Sequence, residues 1–110
     1  MVKVSLVKLE GNEVFAAVKQ AVDLVGGIGS YVSPGDRVLI KVNMFVPAPT
    51  HVARITDPRV AIAVARLVHE AGGEAVVADR MPWIHQHLEA FPEIGRYATV
   101  ASIDEMPDRK

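Results

Sequence analysis

The sequence predicts an α/β fold, a mainly parallel sheet of about four strands flanked by helices in three layers. Three observations lead there. Val38-Leu39-Ile40 is an unbroken bulky apolar run that starts just after a turn, the composition of a strand buried on both faces, as strands are in sheets covered by helices. Strand-like and helix-like stretches alternate along the chain. Each of the two longer helical stretches runs into a glycine pair, Gly26-Gly27 and Gly72-Gly73, where a left-handed residue can close the last turn.

The first strand is expected at residues 2–9, Val-Lys-Val-Ser-Leu-Val-Lys-Leu, which alternate apolar and polar for most of their length. Glu10-Gly11-Asn12 breaks it, and Asn12 is placed to cap a helix carrying Val14, Val18, Ala21, Val22 and Val25 at helical spacing. Gly26-Gly27-Ile28-Gly29 follows a helix, whereas a dinucleotide-binding glycine loop follows a strand, so we read these glycines as a turn. Ser33-Pro34-Gly35-Asp36 has the proline and glycine of a type II turn and leads into the second strand, Asp36–Asn43. Because no polar residue interrupts Val38 to Ile40, this strand is expected inside the sheet, with the first and third strands on either side.

Residues 44–55 contain two prolines and hold no period, which makes a long loop at the carboxyl end of that strand. Thr56-Asp57-Pro58 opens the second helix with capping side chains and an early proline. Val60, Val64, Leu67, Val68 and Ala71 form its apolar face. Glu74–Ala78 is the third strand, Ile84–Phe91 a short helix, Tyr97–Ile103 a fourth strand, and Asp104–Lys110 a charged tail. The order implies right-handed crossovers and half of a Rossmann-like domain.

At 110 residues, 50% of them apolar, the chain suits one domain spanning residues 1–110. A net charge of −1 with mixed signs offers no broad field for nucleic acid or anionic lipid, so neither is expected as a partner. No apolar run approaches the ~20 residues of a membrane span, and Met-Val-Lys-Val-Ser-Leu lacks a signal-peptide layout, so a cytoplasmic location is expected. Without cysteine there is no disulfide, no thiol nucleophile and no cysteine-ligated cluster within the chain.

Ligands of open parallel sheets bind outside the carboxyl ends of the strands. On that edge the sequence places Lys41 and Asn43, the loop residues His51 and Arg54, the helix start Thr56-Asp57, and Asp79-Arg80. Lysine, arginine and a helix N-terminus favour an anion, a carboxylate or phosphate. The competing reading is structural: Lys41 pairs with Asp79, and Thr56 caps. No nucleophile–base pair is legible, so no catalytic residue is assigned. His85 and His87 point apart on a helix, so no metal site is expected there. His69 reads as a surface or interface residue and Trp83 as the cover of a core edge.

Val4-Ser5-Leu6-Val7-Lys8, Leu24-Val25-Gly26-Gly27 and Val32–Asn43 resemble the amino-terminal part of the domain-of-unknown-function 362 family. So do Thr56-Asp57-Pro58-Arg59-Val60, Ala65–Gly73 and Ala78-Asp79, which brings the resemblance to roughly residues 3–80. The most specific piece is the glycine–aspartate turn running into a strand that ends Lys41-Val42-Asn43. The family usually has Lys-Pro-Asn there, and Gly-Asp-Ser-Pro where this chain has Ala78-Asp79-Arg80-Met81-Pro82. Many members carry ferredoxin-like iron–sulfur segments, so the resemblance implies a redox setting with a cluster outside this chain. The family domain also runs beyond 110 residues, which implies a fragment, a split subunit, or a minimal relative completed by another chain.

Two functions follow as expectations. One is binding of a small anionic ligand at the carboxyl edge, with Lys41 as clamp or proton donor and Asn43 orienting the ligand, in a redox-associated subunit. The other is a non-catalytic assembly domain that completes its fold with a partner chain or a second copy. A sheet of about four strands leaves apolar surface uncovered, so a homo-oligomer or partner complex is expected.

Overall fold

The computed structural model describes residues 2–43, 56–79, 83–88 and 91–103. Within them three parallel strands, β1 (Arg37–Lys41), β2 (Glu74–Asp79) and β3 (Ala98–Ser102), form one sheet in that order. They alternate with α1 (Val14–Asp23), α2 (Pro58–Glu70) and α3 (Trp83–Leu88), and with short 3-10 turns at Ile28–Ser30 and Pro92–Arg96. The protein is thus an α/β fold with a parallel sheet flanked by helices, and the strand expected at Tyr97–Ile103 is β3.

Turn chemistry aligns the strands. Gly35 has φ +89°, the left-handed third position of a type II turn, and the Asp36 N–H donates to the Ser33 carbonyl at 3.0 Å. Gly72 closes α2 at φ +87° while the Gly73 N–H reaches back to the Val68 carbonyl at 3.0 Å. The two turns are tied together: Gly35 N–H donates to the Gly72 carbonyl at 2.9 Å and Glu74 N–H to the Asp36 carbonyl at 2.7 Å. Register follows, with Arg37 opposite Glu74 and Lys41 opposite Ala78. Gly73 is held in the tightest part of this junction, where an added Cβ would sit 2.9 Å from Val32 Cγ1 and 3.0 Å from Val68 Cγ1.

The main core cluster lies against one face of the sheet, and Val76 and Ala78 are buried on the other. Val38, Ile40 and Val42, Ala75 and Val77, Ala98 and Val100 are side chains of a single parity by the strand register, and all join the main cluster. Ala61, Ile62, Ala65 and Val68 of α2, Ile84 and Leu88 of α3, and Ile94 complete it. Beyond α2 lies α1, where the Arg66 guanidinium stacks over the Phe15 ring at 3.8 Å.

Three expectations are corrected. Residues 2–9 form no strand: they run along α1, with the Ser5 hydroxyl donating to the Ala21 carbonyl at 2.7 Å and Val7 and Leu9 lining a groove with Val14, Ala17, Val18, Ala21 and Val60. Alternation records that one side of an extended segment is covered; it does not say whether a sheet or a helix covers it. The described sheet therefore has three strands, not four. The second correction is strand order, since β1 takes an edge and β2 the centre. Leu39 is 51% exposed, whereas Ala75 to Asp79 are all buried to 5% or less. A three-residue apolar run is too short to separate a central strand from an edge strand; the neighbours decide. Third, the N-cap position of α1 is Glu13 rather than Asn12, and no side chain caps it.

Candidate functional site at the carboxyl edge

The parallel register brings the ends of all three strands, Lys41, Asp79 and Ser102, to one edge. Lys41 is held from below. Its ammonium donates to the Val42 carbonyl and to Asn43 Oδ1, both at 2.9 Å, and lies 3.4 Å from Asp79 Oδ1. The pair is lopsided in burial, with the Lys41 side chain 52% exposed and that of Asp79 only 6%. A buried carboxylate is costly without donors or a counter-charge, so Lys41 serves Asp79 while keeping one flank in solvent.

Asn43 is fixed by Thr56. The Thr56 N–H donates to the Asn43 carbonyl at 2.8 Å, and the Asn43 N–H donates to Thr56 Oγ1 at 3.0 Å. This two-bond clamp joins the exit of β1 to the entry of α2 across thirteen residues of sequence. Thr56 is therefore a strand clasp, and the helix cap is Asp57. Its Oδ1 accepts the Arg59 backbone N–H at 3.0 Å, and its carboxylate takes the Arg59 guanidinium at 2.7 Å. The Arg59 side-chain hydrogen bonds hold the Asp57 carboxyl below the usual carboxylate range, helped by the backbone bond and the guanidinium charge. The start of α2 thus already carries an anion of its own chain.

Sequence reasoning missed Ser102. It is 5% exposed and stands in register with Asp79, so a hydroxyl and a carboxylate are buried side by side at the edge. Its signal was positional, the last polar residue of the fourth expected strand. His51, Arg54, Arg80 and the loop 44–55 lie outside the described residues, as do the side chains of Trp83 and His87; His85 is exposed. Among the described residues no cluster of three histidine, cysteine, aspartate or glutamate side chains could hold a metal ion.

A family model for a domain of unknown function, DUF362, matches residues 38–105, from within β1 to beyond β3. The chain belongs to the DUF362 family. The matched span takes in β1 from its second residue, all of β2 and β3 of the DUF362 sheet, and the carboxyl edge, while the segment along α1 falls outside it. The chain is similar to a thylakoid-associated protein of Synechocystis sp., with 41% identity over 70 residues, 64% of this chain and 22% of that protein. It therefore spans about a fifth of its relative's length. No solved structure matches the chain. None of the described helices is long and apolar enough to cross a membrane.

Proposed function

We propose that this DUF362 chain binds a small anionic ligand, a carboxylate or phosphate, at the carboxyl edge of its sheet. The observation that carries the reading is the Lys41 ammonium, anchored by Val42 O and Asn43 Oδ1 above a buried Asp79 and open to solvent on its outer flank. Such a cation is pre-positioned, so little side-chain freedom is lost when an anion arrives. Asn43, clasped by Thr56, offers its amide beside it, and Asp57, Arg54, Arg80 and Asp79 complete the proposed set. Asp79 orients the lysine and rejects ligands whose charge reaches too deep.

The site serves a larger redox-associated assembly, located in the cytoplasm. An iron–sulfur cluster does not fit the residues of this chain, which has no cysteine, so a cluster of that assembly is held elsewhere. Titration of the protein with inorganic phosphate and with acetate tests the reading. Lys41→Met is expected to weaken binding by about 1.5–3 kcal/mol, the worth of a charge-assisted hydrogen bond. Equal affinity in the variant and the wild type refutes it.

A second reading, an assembly domain completed by a partner or a second copy, is favoured by Val2, Val4 and Leu6, which are 91, 89 and 95% exposed.

A further inference from the structure

We infer that the cavity between α1, α2 and the Pro92–Arg96 turn binds a small zwitterion, a free α-amino acid with an apolar side chain. The inference goes beyond the anion reading, and none of the residues lining this cavity belongs to the proposed carboxyl-edge set. The cavity measures about 200 Å³, below the range of pockets for drug-sized ligands, so its occupant is small. Positions 59, 62, 63 and 66 share one face of α2 by helical spacing. That face sets a guanidinium at each end of an apolar step made by Ile62 and Ala63, which Phe15 of α1 extends.

The charged groups of the cavity differ in what they already hold. Arg59 is committed to Asp57, with Nε and Nη2 both on that carboxylate. Arg66 is not: its guanidinium lies 3.8 Å from the centre of the Phe15 ring and gives only Nε to Glu70, at 3.3 Å. Its two Nη atoms make no hydrogen bond among the described residues. Glu93, which lines the same cavity, likewise has no ion pair or hydrogen bond among them, with Arg66 or any other residue. A donor fork and a carboxylate of opposite sign are thus left over beside an apolar step. A simple anion satisfies the guanidinium and is repelled by Glu93, and a simple cation meets the reverse. A molecule with both charges, its carboxylate on Arg66 and its ammonium on Glu93, satisfies the two together and lays its side chain on Ile62 and Ala63. The Phe15 ring holds the guanidinium before the ligand arrives, which lowers the ordering cost of binding.

An NMR titration of the isotope-labelled 110-residue chain with L-leucine as probe tests the inference. Saturable amide shifts are expected at Phe15, Ala63, Arg66 and Tyr97. Isocaproate, which lacks the ammonium, and isoamylamine, which lacks the carboxylate, are each expected to bind about tenfold more weakly, the effect of one charged hydrogen bond. Glu93→Gln is expected to weaken L-leucine about tenfold while leaving isocaproate no weaker, a split that a merely structural role of Glu93 does not produce. Arg66→Gln is expected to weaken both, and Lys41→Met to leave L-leucine binding unchanged. Absence of saturable shifts at tens of millimolar L-leucine overturns the inference. So does isocaproate binding as tightly as L-leucine, which makes the cavity a plain anion site, or loss of L-leucine binding in Lys41→Met, which moves the ligand to the carboxyl edge. The phosphate and acetate titrations of the carboxyl edge are read on Lys41→Met, so failure of that reading and failure of this inference are separate results.

Discussion

Lys41 and Asp79 are one interaction seen from two very different environments. The carboxylate is buried and the ammonium is half in water, so removing either partner has unequal consequences. Lys41→Met takes the counter-charge from a buried anion and is expected to cost about 1–3 kcal/mol of stability, less than the loss of a fully buried pair because the lysine is so exposed. Asp79→Asn keeps the shape and leaves a lysine that can hydrate and retain Val42 O and Asn43 Oδ1, so a smaller loss is expected. Thermal melts of the two variants, run beside the anion titrations, separate the roles. A large fall in melting temperature for Lys41→Met with unchanged anion affinity makes the lysine a purely structural counter-ion.

At the scale of elements, α2 is positioned by its two ends. Asp57 caps the first, and its folded-state pKa is depressed, chiefly by the Arg59 side chain. The sign follows: this stabilisation is fully present above the unfolded carboxylate pKa of about 3.9 and is lost as pH falls through the lower folded value. Urea unfolding between neutral pH and about pH 3 is expected to show that loss, and Asp57→Asn, which can still cap, to reduce it. Asp57→Ala is expected to cost about 0.5–2 kcal/mol at neutral pH. At the other end, Gly73→Ala drives a Cβ into two stiff, β-branched side chains, Val32 and Val68, and is expected to cost about 1–3 kcal/mol. Gly95→Ala meets nothing within 4 Å and serves as the near-neutral control, within about 0.5 kcal/mol.

For the molecule as a whole, the consequence of strand order is measurable. β2 is covered by strands on both sides and by the core cluster, whereas β1 has one described neighbour and leaves Leu39 half in solvent. Leu39→Ala is expected to cost well under the ~2–5 kcal/mol typical of a buried leucine or isoleucine, and Ile84→Ala, at 0% exposure, to cost that full amount. Equal losses from chemical denaturation would mean that β1 is buried in solution.

Residues 33–36 show what the sequence by itself determined. Proline and glycine at fixed places admit one kind of turn, so the start of β1 was legible, as were the glycine closure of α2, the parallel class of the sheet, and the gathering of Lys41, Asn43 and Asp79 at one edge. These follow from local stereochemistry and from the direction of parallel strands. Tertiary structure alone decided that residues 2–9 lie on a helix, that β2 rather than β1 is central, that Thr56 clasps Asn43 instead of capping α2, and that Ser102 is buried beside Asp79. In each case the deciding contact joins residues distant in sequence. A side chain's period or polarity states that it will be covered or paired, and only the packed chain states by what.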